Sequence, residues 1–137
     1  MFNHKAKTLA EAIGIEEEIY EKECEEVIRQ FMKSQTLNEF TSKVENLPHL
    51  ILAATLEKII YPLSAIPFRI LFQASPLLYQ TVKITTEMIP KESLNTRSQV
   101  IEFFVNLPKK TLIILIWNLL LPINEMAVLV ARVGGFI

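Results

Sequence analysis

Between Glu16 and Lys33 the apolar positions Tyr20, Cys24, Val27, Ile28, Phe31 and Met32 recur at helical spacing, and seven glutamates between 16 and 26 cover the other face. That pattern predicts an amphipathic helix with one side in water. Three S/T-x-x-E/Q sequences, Thr8 to Glu11, Thr36 to Glu39 and Thr96 to Gln99, mark helix starts. In each the hydroxyl and the later carboxylate or amide can satisfy otherwise orphaned N–H groups. The first opens a short helix closed by Gly14, and the second opens a helix ending near Asn46.

Beyond Asn46 the periodicity fades because most positions are apolar, the mark of helices covered on several sides. Proline takes over as punctuation, at Pro48, Pro62, Pro67, Pro76, Pro90, Pro108 and Pro122. Proline suits a helix's first turn and breaks its interior, and Ser75-Pro76 makes a good cap-plus-first-position pair. The spacing predicts helices over 48–61, 64–74, 76–89, 96–106, 108–121 and 123–133, the last closed by Gly134. Strands are disfavoured, since alternation and hairpin turn pairs are both missing and the prolines would interrupt sheet ladders. The expected fold is all-α, a compact helical bundle of six to nine short, proline-delimited helices. Its expected core is Leu50, Leu52, Leu56, Ile59, Ile60, Leu71, Leu78, Phe103, Leu112, Ile113, Leu115, Ile116, Leu119, Leu120, Val128 and Leu129. A faint repeat at an offset of 60 pairs Asn46-Leu47-Pro48, Leu52 and Pro62 with Asn106-Leu107-Pro108, Leu112 and Pro122. Five matches in so Leu- and Pro-rich a chain do not establish a duplication. They do suggest two Asn-capped helices that each stop at the next proline.

Composition sharpens this picture. The 137 residues are half apolar, with a mean hydropathy of +0.30 and only 3 Gly against 7 Pro, a length suited to a single helical domain spanning 1–137. The net charge of −1 hides a gradient. Residues 1–47 hold ten Glu against six bases, and residues 48–137 hold five Glu against eight. The expected organisation is therefore an acidic, water-facing helical layer over 1–46 and an apolar helical body over 47–137. The most apolar stretch, Leu107 to Val133, has Glu125 as its only charge between Lys110 and Arg132. Some neighbour has to hide it from water.

Lipid is one candidate neighbour. Thr111 to Ala131 has the length of a transmembrane helix. However, Pro122 is expected to divide it, Asn118, Asn124 and Glu125 lie near its middle, and Trp117 sits mid-run rather than at an interface. A buried helical hairpin fits better. The first fifteen residues have no apolar run of signal-peptide type, so the expected location is inside a cell or a particle, with membrane association left open.

Chemistry is sparse. His4 and His49 form no Glu-x-x-His motif, and Cys24 lies among Glu23, Glu25 and Glu26, whose charge suppresses the thiolate. Gly-x-Ser-x-Gly and glycine-rich phosphate loops do not occur. No catalytic residue, cofactor or metal is expected. Thr8 to Ile15 resembles the opening of a helix-turn-helix, but the helix that would read DNA begins Glu16-Glu17-Glu18. Phosphate repels such a surface, so direct nucleic-acid binding is not expected. The sequence thus points to a non-enzymatic subunit that packs through apolar helices into a homo-oligomer or larger complex, in the manner of a helical coat protein or accessory subunit. The expected interaction residues are Leu112, Leu115, Ile116, Trp117, Leu119, Leu120, Phe136 and Ile137. Two rival classes are a membrane-embedded or membrane-associated helical subunit and a helical adaptor or ligand-binding module.

Overall fold

The computed structural model describes residues 17–133, which form seven α-helices and one 3-10 helix with no strand among them. In chain order these are α1 (Glu17–Met32), α2 (Leu37–Val44), α3 (His49–Leu63), α4 (Phe68–Ala74) and α5 (Pro76–Glu87). The 3-10 helix Lys91–Asn95, α6 (Arg97–Val105) and α7 (Lys109–Val133) follow. The all-α bundle predicted from patterning is the observed fold. The helix proposed around Thr8 to Gly14, the Gly134 terminus and the outer positions Val128 and Leu129 lie outside the residues whose side chains are described.

Helix α3 occupies the centre. Seven consecutive residues, Ile51 to Glu57, are buried, because α3 packs against α1, α6 and α7 and more lightly against α5. A helix covered on so many sides needs no polar stripe, which is why its periodicity is faint. Its buried Thr55 is satisfied locally, donating to the Ile51 carbonyl at 2.7 Å. Thr85 on α5 does the same with the Thr81 carbonyl at 2.7 Å. The core also draws on Phe40, Val44, Val82 and Phe104. Leu50 and Phe103 are only partly buried, so Phe104 takes the inward place expected of its neighbour.

Three helix starts are built as their sequences suggest, with one variation. The Thr36 hydroxyl accepts from the Glu39 N–H at 3.1 Å, and Glu39 reaches back to the Gln35 N–H at 2.7 Å, one residue earlier than a capping box requires. The Thr96 hydroxyl accepts from the Gln99 N–H at 3.2 Å, but the Gln99 Oε1 is buried without a donor, so this box is only half made. Ser75 accepts from the Leu78 N–H at 3.1 Å, with Pro76 at the first helical position.

Proline departs from expectation in three places. α7 runs unbroken for 25 residues through Pro122, where two helices were expected. A missing N–H and a ring clash strain a helix, yet packing on both sides can hold it together. Here the buried Leu119, Leu120 and Pro122 anchor that turn. α3 likewise continues through Pro62, which leaves the Lys58 carbonyl without its helical donor, though only Leu63 of the helix follows. Asn46 does not cap α3, because Pro48 itself precedes its first turn, without a side-chain cap. Conversely, Pro67 delays α4 to Phe68, because the residue before a proline is driven out of the helical region.

Candidate functional site

Most of the apolar residues expected to meet a partner are used inside the chain. Leu112, Leu115, Ile116, Leu119 and Leu120 are all buried in the core. The reason is that α7 lies against α2, α3 and α5 and needs no outside cover for this face. Trp117 is half-buried in an aromatic group that ties three helices together. Its ring centroid lies 5.1 Å from Phe31 on α1 and 5.8 Å from Phe40 on α2. Phe136 and Ile137 lie outside the described residues. In this fold the described members of that set pack within the bundle, and the large apolar side chains left most exposed lie elsewhere.

Four of these side chains stand together in sequence on the helical hairpin made by α4 and α5. α4 has seven residues, and only Leu71 among them is buried. Its one substantial neighbour is α5, and it turns away from α3 by 103°. Ser75 serves twice, ending α4 and capping α5, so the two helices meet without a loop. Phe68, Ile70, Phe72 and Leu77 stand out at 39%, 48%, 53% and 44% exposure. Beneath them Tyr79 holds both phenylalanines edge to face, with centroids 5.5 Å from Phe68 and 5.4 Å from Phe72. The exposed rings therefore sit on a built aromatic support. Arg69 is exposed among them, and no carboxylate occurs from Lys58 through Thr86.

The other side chains with chemical potential serve structure. Glu57 is 4% exposed on α3 and is clamped by Arg97 of α6 through a two-pronged contact, Nε to Oε2 at 2.6 Å and Nη2 to Oε1 at 3.0 Å. The guanidinium also lies 4.1 Å from the centre of the Tyr61 ring. These three residues line a cleft of about 300 Å³ with Ile60, Ile89 and Leu94. The paired carboxylate and guanidinium fasten α6 to α3. A wider, open groove of about 510 Å³ lies between α2 and α7, but its Lys109 donates to the Glu45 carbonyl at 2.8 Å.

Cys24 is buried on α1, its sulfur 4.0 Å from the Ile51 carbonyl of α3. Burial pushes its pKa above the ordinary thiol value, against smaller lowering effects of Thr55 and Lys58. The acidic face of α1 is exposed. There the Gln30 amide, helped by Arg29, holds the Glu26 carboxyl below its usual range, and Lys58 reaches Glu21 at 3.7 Å. Among the described residues no three His, Cys or acidic side chains converge as a metal set. His49 is exposed at the start of α3, and His4 lies outside the described residues.

Sequence reading overlooked the hairpin and the Glu57–Arg97 pair. The residues from Pro67 to Tyr79 are mostly apolar, broken only by Arg69, Gln73 and Ser75, too few to tell an exposed face from a buried one. The two charges of the pair are 40 residues apart, with nothing local to link them. Comparison with protein-family models, curated proteins and solved structures finds no match to this chain.

Proposed function

We propose that this chain is a non-enzymatic packing subunit, which attaches by apolar contact through its α4–α5 hairpin to another component of a larger assembly. The observation that carries this reading is the exposed set Phe68, Ile70, Phe72 and Leu77, in which both phenylalanine rings rest edge to face on Tyr79. Exposed patches of this kind mark interaction sites far more often than chemistry. The polar groups support the same reading: Glu57, Arg97, Lys109 and Cys24 are all engaged in holding helices together.

Native mass measured with and without detergent tests it. The wild-type chain should either self-associate in buffer or take up detergent, and the double variant Phe68→Ser/Phe72→Ser should do neither. If wild type and variant are both plain monomers under both conditions, the hairpin is not a docking element and the reading fails.

A further inference from the structure

Building on that reading, we infer that the partner of the α4–α5 hairpin is the surface of an anionic lipid bilayer, on which α4 lies with its exposed side chains dipped into the headgroup boundary. Charge is the first argument. Arg69 stands exposed between Phe68 and Ile70, and the chain carries no acidic residue from Lys58 through Thr86. The flanking carboxylates are both engaged, Glu57 by Arg97 and Glu87 by Lys83 at 3.5 Å. An anionic headgroup layer thus meets one cation and no repelling charge here, whereas the acidic face of α1 would be driven away from it.

Size is the second argument. Phe68, Ile70, Phe72 and Leu77 together present roughly 350 Å² of apolar surface, taking about 200 Å² for each full side chain. A stable protein–protein interface takes roughly 800 Å² from each partner, so this patch alone is small for a dimer. Phe68 and Phe72 lie one turn apart on α4 beside the exposed Arg69, and aromatic rings next to a basic residue are the usual anchors of a short interfacial helix.

The geometry also says how such a helix would sit. α3 and α4 together have the length and composition of a broken membrane span, bent by 103°, while no single helix among the described residues is long and apolar enough to cross. Yet α3 is sealed inside the bundle, with Ile51 to Glu57 buried. Only α4 is available to lipid, and its seven residues reach about 10 Å, a third of a bilayer core. The chain would lie on the membrane and not span it.

Co-sedimentation of the full chain with phosphatidylcholine vesicles, with and without phosphatidylserine, tests this. Wild type should partition onto the phosphatidylserine vesicles. Phe68→Ser/Phe72→Ser should weaken that partition by more than about tenfold. Arg69→Glu should weaken it by roughly tenfold on the anionic vesicles only. Met32→Ser, which removes a side chain 60% exposed on acidic α1, should leave binding unchanged. All four sites are exposed, so wild-type helix content and Trp117 fluorescence, with a cooperative melt, would show that the variants fold. A wild-type chain that stays in the supernatant with both vesicle types would overturn the inference. So would an equal loss from Met32→Ser, which would mean general stickiness. If wild type ignores vesicles but self-associates in buffer, and the hairpin variant is monomeric, the partner is a second copy; the lipid inference then falls and the packing reading stands. If it neither binds vesicles nor associates, both fall.

Discussion

Helices α3 and α4 are neighbours in sequence, four residues apart and similarly rich in Ile, Leu and aromatic side chains, yet they meet opposite fates. α3 is enclosed by α1, α6 and α7, and its Leu52 and Leu56 are fully buried. α4 rests on α5 and shows Phe68, Ile70 and Phe72 to the outside. Composition is nearly the same in the two helices, so it is not what decides burial. Length and tethering decide it. Fifteen residues give α3 four turns on which other helices can stack, while Pro67 and Ser75 leave α4 only two. An apolar helix too short to be surrounded becomes surface, and surface of that kind is available for binding.

The sharpest way to break this contrast is to place the same charge in both helices. Leu52→Asp should abolish folding, because an unpaired buried carboxylate costs several kcal/mol against a total stability of about 5–15 kcal/mol. Phe72→Asp, at a site 53% exposed, should cost only about 1 kcal/mol, chiefly its edge-to-face contact with Tyr79, and leave the fold intact. Far-UV circular dichroism and the fluorescence of Trp117, which is held by Phe31 and Phe40, report the outcome. If Leu52→Asp folded normally, α3 would not be the enclosed helix, and the distinction between the two would disappear.

How much of this was legible in the sequence differs between the two regions. The amphipathic spacing of Cys24, Val27 and Phe31 marked the inner face of α1, and the Thr36, Ser75 and Thr96 caps marked the starts of three other helices. These are local signals, carried by residues three or four apart, and local structure follows from them. The apolar body gave helices but not their neighbours, since a segment apolar on all sides is compatible with core, with lipid and with a docking face alike. Proline misled at Pro122 because its cost to a helix is a few kcal/mol, which packing on both sides can offset. The Glu57–Arg97 pair was invisible for the same reason as the hairpin: only the fold brings those residues together.

That pair tests the enclosed side of the contrast at intermediate size. Arg97→Ala leaves Glu57 buried without its partner and also strips the cation from Tyr61. Losing one member of a fully buried pair costs about 3–5 kcal/mol. Arg97 is 52% exposed, so water can reach part of the site, and a loss of about 2 kcal/mol is expected. Replacing both residues, as Glu57→Leu/Arg97→Leu, should recover most of that loss by removing the stranded charge along with the pair. Denaturant midpoints of Glu57→Leu, Arg97→Leu and the double variant measure the coupling. A coupling near zero would mean that α6 is held on α3 by apolar packing alone.

The smallest effect concerns the seam between α1 and α3, where Cys24 faces Ile51 and Thr55. Burial raises the thiol pKa, so the folded chain holds that proton more tightly than the unfolded chain does. Stability is therefore complete below the ordinary thiol pKa and declines as pH climbs from there toward the folded value, and Cys24→Ala should remove that slope. A thiol reagent added to the native chain at neutral pH should react far more slowly than with free cysteine, for want of both thiolate and access. Labelling should then follow unfolding, and denaturant should accelerate it in step with the loss of helix. Fast labelling of a fully helical chain would instead mean that α1 lifts from α3 while the rest stays folded. The enclosure that separates α3 from α4 would then be one wall weaker, and part of the apolar surface assigned to the core would be open to a partner.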